Sequence, residues 1–141
     1  MLKSGMTIVE VILVVAIVTI IGASTTPFIS NFIARNNHET TVDKLVSSIR
    51  KAQNYSMNGR DGVIWGICLS GNNIRLYRGS CVSPTFSENF SVPGTVTLTG
   101  LNDTTFSSLR GEPNGSLNIT ITSNLGSNTI IVNSAGGIDV N

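Results

Sequence analysis

The sequence predicts an α+β fold, with one long N-terminal helix followed by a domain of antiparallel strands. Three observations lead there. An apolar run after Gly5 passes into helically spaced Val42, Leu45, Val46, Ile49 and Ala52. After residue 60, short segments alternate apolar and polar residues and are bounded by glycine, asparagine or proline. The strands all follow the helix rather than alternating with further helices, which argues against a parallel βαβ sheet.

At 141 residues there is room for one domain. The sequence divides into a leader at 1–5, a stalk helix at 6–58 and a β-rich head at 59–141. Charged residues are 12% of the chain and the net charge is +1. Without Lys3, the nine basic residues become eight, equal to the eight acidic ones. Such neutrality argues against an electrostatic footprint for nucleic acid. Apolar residues still make up 40%, too many for a disordered chain. Abundant Ser, Thr, Asn and Gly suit a turn-rich extracytoplasmic surface.

The helix begins in the segment Met6-Thr7-Ile8-Val9-Glu10. From Val11 to Ala34 there are 24 residues without a formal charge. As a helix they extend roughly 36 Å, enough for a hydrocarbon core of roughly 30 Å. The expected membrane-spanning part is about residues 9–30. Small residues near Ala23 and Ser24 also fit a signal-peptide cleavage site, but that reading explains neither Gly5 nor Glu10. A carboxylate at the start of a membrane segment is costly and usually has a partner. On spacing alone, Glu10 can equally lie at the interface in water.

Lys3-Ser4-Gly5, then Met6 to Glu10, then the apolar run, together resemble the class III leader of type IV pilins and pseudopilins. The resemblance implies that prepilin peptidase cuts after Gly5 and methylates the new amine of Met6. Met6 departs from the phenylalanine usual at that position. Glu10 matches the family's glutamate, which is thought to neutralise the N-terminal amine of a neighbouring subunit. Such pairing is physically sensible, because a buried ammonium and a buried carboxylate tolerate burial together better than alone. Pro27 falls where pilin stalks commonly bend, since an internal proline removes one helical hydrogen bond.

Beyond Pro27 the apolar residues narrow to one face, and Asn58-Gly59 is a helix stop signal. One helix over residues 7–57 is expected, its second half packing on a sheet. His38 is the single histidine, with no cysteine or second histidine nearby, so a solvated side chain is expected rather than a metal ligand.

The head reads as strands at 62–69 and 73–78, joined by a hairpin turn at Ser70-Gly71-Asn72. Further strands are expected at 95–99, 116–122, 128–132 and 138–140. Residues around Pro84, Pro93-Gly94 and Gly100 read as a looser region. Trp65, Tyr77 and Phe86 are expected in the core rather than in a binding patch.

Thr105-Phe106, Gly111, the two strands that follow and Gly136-Gly137-Ile138 resemble the H-type minor pseudopilins and T-type fimbrial minor pilins. T-type members that bind DNA do so through arginines around a C-terminal glycine motif. Here that stretch contains Asp139 and no arginine, and DNA is not expected as a partner. The resemblance implies a minor pilin or pseudopilin of a type IV pilus or a type II secretion pseudopilus. Its partners would be other subunits, prepilin peptidase and the inner or cytoplasmic membrane, with the head extracytoplasmic. A major pilin, or a filament-tip module binding DNA or a surface ligand, is the alternative.

Cys68 and Cys81 form an even pair, which in an exported domain is more often a disulfide than a thiol site. A simple hairpin places Cys68 near Arg75, so a bridge requires Gly79-Ser80 to fold back. Two buried free cysteines are the other possibility. No enzyme signature emerges: one histidine on a stalk makes no triad, the carboxylates are scattered, and no phosphate-binding glycine loop precedes a helix. No cofactor is expected. Asn54, Asn89, Asn102, Asn114 and Asn118 begin N-x-Ser/Thr sequons of the kind a Ser/Thr/Asn-rich chain produces by chance.

Overall fold

The computed structural model describes residues 5–59 and 62–141, without the side chains of residues 24–28. One α-helix is found among the described residues: α1, Ile8–Met57. Eight strands follow: β1 Trp65–Ser70, β2 Asn73–Arg78, β3 Phe86–Ser91, β4 Val96–Thr99, β5 Thr104–Phe106, β6 Leu117–Ser123, β7 Gly126–Val132 and β8 Ile138–Val140. They form two four-stranded antiparallel sheets, ordered β3-β2-β1-β5 and β4-β6-β7-β8. The fold is α+β.

The chain divides into two compact units, one ending at Ile33 and the other Ala34–Asn141. None of the first unit's described side chains is buried. Its described apolar side chains are exposed on every side of the helix, from Ile8 (78%) through Val15 (57%) to Ile21 (59%). Among the described residues, no helix is long and apolar enough to cross a membrane. The apolar run whose side chains are described, residues 8–23, extends only about 24 Å as a helix, short of the hydrocarbon core. The membrane-spanning first half expected from sequence is therefore not carried by the described structure. The bend expected at Pro27 also lies outside the described side chains.

The second unit has a core of its own. Leu45, Ile49 and Ala52 of α1 are fully buried against Trp65, Ile67, Ile74, Leu76 and Phe106 of the first sheet. Ile119, Ile121, Ile130 and Val132 of the second sheet complete the same cluster. The α1 residues recur at helical spacing, so one face of the helix enters the core. Buried Thr41 and Ser48 return their hydroxyls to the carbonyls of Asn37 and Lys44, each 2.7 Å away, so neither is left unpaired. The helix ends at Met57, and Gly59, at φ 57°, takes the left-handed conformation expected of the stop signal.

In the second sheet the alternation is plain: Val96 and Leu98 of β4 and Leu117, Ile119 and Ile121 of β6 face inward, while Thr97, Thr99 and Asn118 face out. The region that reads as loose instead contains β3, and β5, a short strand the sequence did not predict, follows it. β3 pairs with β2 through six consecutive residues, from Asn73↔Ser91 to Arg78↔Phe86. Pairing of Trp65 with Phe106 and of Ile67 with Thr104 closes the other edge.

Candidate functional site

The N-terminal residues that carry the processing and assembly expectations all lie outside the head. Gly5 precedes the helix, and a side chain added there would meet nothing within 4 Å. Within the described structure, neither crowding nor a left-handed backbone demands glycine at this position. Met6 is 64% exposed. Glu10 lies exposed in the first turn of α1, where its negative charge suits the positive end of the helix dipole.

Thr7 has a local role that sequence reading missed. Its hydroxyl accepts from the Glu10 N–H at 3.4 Å, and its carbonyl accepts from Glu10 and Val11 at 3.1 and 3.2 Å. Thr7 is thus the N-cap, and Thr7-Ile8-Val9-Glu10 has the Ser/Thr-x-x-Glu spacing of a capping box. That spacing was available in the sequence. Glu10 therefore has a place in the helix start that is separate from any intersubunit role.

Cys68 and Cys81 are joined as a disulfide across a sequence separation of 13, with Cα atoms 6.3 Å apart. Cys68 stands directly opposite Arg75 in the β1–β2 ladder, and the chain does turn back after β2. Gly79, at φ 90°, makes that turn while its N–H donates to the Ile64 carbonyl at 3.0 Å. Arg75 then fastens the returning segment, with Nη1 donating to the Cys81 carbonyl at 2.9 Å and Nε to Asn89 Oδ1 at 3.0 Å. The bridge and the arginine together hold the β2–β3 connection over the face of the first sheet that points away from α1.

Tyr77 covers the same face. It is buried, and its hydroxyl donates to the Asp103 carboxylate. Burial, then the hydrogen bond and charge of Asp103, push the Tyr77 hydroxyl well above the usual phenol range. The ring passes over Gly66: a side chain there would sit 2.6 Å from the Tyr77 ring and 2.7 Å from the Thr104 carbonyl. Trp65 is buried on the opposite face, against Tyr55 at a centroid distance of 4.7 Å and Phe86 at 5.8 Å. Phe86 itself is 48% exposed, so of the three aromatics expected in the core it remains partly at the surface.

His38 is not solvated, contrary to the sequence expectation. It is only 9% exposed, and Nε2 lies 2.7 Å from Asn128 Oδ1. Asn128 Nδ2 donates to the Asn141 carbonyl at 3.2 Å, which turns Oδ1 toward the ring and places the proton on Nε2. Nδ1 is buried without a partner. The histidine joins α1 to the start of β7, a contact 90 residues apart in sequence. Among the described residues no group of three His, Cys, Asp or Glu side chains could hold a metal.

A cavity of about 640 Å³ opens between the end of α1 and β5, lined by Ser56, Val63, Ile64, Phe106, Ser107 and Glu112 among others. Among the described residues its lining carries hydroxyls and the Glu112 carboxylate but no histidine, and Ser107 Oγ accepts from the Glu112 N–H at 3.0 Å. Among the described lining residues, no nucleophile stands beside a base. No family model, curated protein or solved structure matches the chain.

Proposed function

We propose that the chain is a pilin-like structural subunit, a minor pilin or an H-type pseudopilin of a type IV pilus or type II secretion pseudopilus. One observation supports this most. The helix over residues 8–23 is apolar on all sides, every described side chain is exposed, and its only charge is Glu10. A helix hydrophobic all round is stable in use only when lipid or other helices surround it. Lipid before assembly and neighbouring stalks afterwards satisfy that need in turn.

In this reading the stalk crosses the inner or cytoplasmic membrane with the head outside, its span completed by residues beyond 23. Prepilin peptidase cuts after Gly5, which accounts for a glycine that the described fold does not require. The Met6 amine is methylated, and Glu10 meets the amine of an adjacent subunit as the stalks pack. Function lies in assembly rather than in bond-making chemistry. The disulfide and the Tyr77–Asp103 contact keep a small head folded outside the cell.

Mass spectrometry of the mature N-terminus tests the proposal. A methylated Met6 as the first residue is the expected result. A mature chain beginning near residue 24 or 25 would mean a conventionally secreted protein and would overturn it.

A further inference from the structure

We propose that β3 is a self-pairing edge, through which two copies of the chain join their first sheets antiparallel about a twofold axis at Asn89. The inference rests on the Ala34–Asn141 unit alone and does not depend on the filament reading.

The geometry starts at the β1–β2 hairpin. Ser70 and Asn73 close a two-residue turn, and Val92 donates to Asn72 just past the far end of the β2–β3 ladder. In an antiparallel pair, hydrogen-bonded and non-bonded residue pairs alternate. The bonded pairs between β2 and β3 are therefore Ile74–Phe90, Leu76–Glu88 and Arg78–Phe86. The N–H and C=O groups of Ser87, Asn89 and Ser91 point the other way, along an edge with no strand beyond it among the described residues.

The edge lacks most of the features that discourage pairing. It runs six residues in unbroken register, without proline, lysine or a bulge. Its one charge, Glu88, points toward α1, where Lys51 Nζ meets it at 2.6 Å, so pairing does not strand it.

Because only alternate residues offer outward groups, a second β3 must dock in a register that pairs them with each other. The centred solution sets Asn89 against Asn89 of the other copy, with Ser87 facing Ser91 on either side. Glu88 then faces Phe90, and no like charges stand directly opposite. The result is one eight-stranded sheet across two molecules, built from two four-stranded sheets. One strand pair covers far less than the roughly 1,600 Å² of a standard stable interface, so the association is weak and concentration-dependent.

The register makes the test specific. Cys68 and Cys81 are joined, so a single added cysteine is the free thiol. The full chain in detergent carrying Asn89→Cys should give a disulfide-linked dimer under mild oxidation. Bonded antiparallel partners lie about 5.5 Å apart, within the span a disulfide bridges. Ser87→Cys or Ser91→Cys alone should not, since like positions are then more than about 13 Å apart. Mixing those two variants should restore cross-linking.

Equal cross-linking at all three positions would show that the stalks gather the heads without register, and would overturn the proposal. So would the absence of an Asn89→Cys dimer, or its preferential cross-linking to Val140→Cys on the β8 edge. Asn89→Pro provides a second check, because the N–H it removes is not used by β2. It should preserve the circular dichroism spectrum while lowering the mixed Ser87→Cys/Ser91→Cys cross-link at least tenfold. A fold kept intact with an undiminished cross-link would also overturn it.

Discussion

Gln53 on α1 donates through Nε2 to the Gly136 carbonyl, 2.8 Å away, and the same nitrogen reaches the Gly111 carbonyl at 3.2 Å. One side chain thus pins the β7–β8 turn and the loop after β5 to the end of the helix. Both glycines have positive φ, 65° at Gly111 and 86° at Gly136. A side chain at Gly111 would press on Met57 and Gln53 at 3.2–3.3 Å, so the contact needs glycine for space as well as for backbone conformation.

Gln53→Ala should therefore lower head stability by about 1–3 kcal/mol, since two half-buried carbonyls lose their donor. Chemical denaturation of the Ala34–Asn141 unit, which contains the whole core cluster, measures it. A change within a few tenths of a kcal/mol would show that water replaces the amide without cost.

The Tyr77 hydroxyl makes stability depend on alkaline pH. Its folded value is raised, so the folded state holds this proton more tightly than the unfolded chain does. The contribution is fully present below the unfolded tyrosine value of about 10 and is lost as pH rises beyond it. Melting temperature should fall above about pH 10 more steeply in the wild type than in Tyr77→Phe. Parallel curves for the two proteins would remove Tyr77 as the cause.

Removing the bridge with Cys68→Ser and Cys81→Ser together should cost on the order of 3 kcal/mol, the loop-closure contribution for a loop of this length. The unreduced wild-type protein should react with no thiol reagent until denatured with reductant. Thiol labelling before reduction would contradict the bridge.

Glu10 and Thr7 separate assembly from helix capping. If the chain assembles as proposed, Glu10→Ala should abolish incorporation into filaments, whereas Thr7→Ala, which removes only the cap, should reduce helix stability by about 1 kcal/mol and leave incorporation near normal. Equal loss of incorporation in both variants would assign the effect to the helix start rather than to a partner amine.

The helix was legible because its signal is local and long. An apolar run followed by helical spacing led to residues 7–57, and α1 occupies Ile8–Met57. β4 and β6 were legible because their inward residues are Val, Leu and Ile while their outward ones are Thr, Ser and Asn, and β7 because Ile130 and Val132 recur on one face. β3 was not. Phe86, Glu88 and Phe90 share one face, but the glutamate breaks the apolar pattern and its Lys51 partner lies 37 residues earlier. β5 is three residues long, too short for a period to register.

Sequence by itself determined the apolar helix, the strand-rich head, the cysteine pair and the unusual combination of Gly5 and Glu10. These depend on composition and on spacing over a few turns. Only the tertiary structure decided that His38 is buried on Asn128, that Gln53 holds Gly111 and Gly136, and that Tyr77 crosses Gly66 to reach Asp103. Each of these contacts joins residues 26 to 90 positions apart, or needs a neighbour without a side chain. A polar side chain acquires such a partner only when packing of the apolar core has fixed which loops lie beside it.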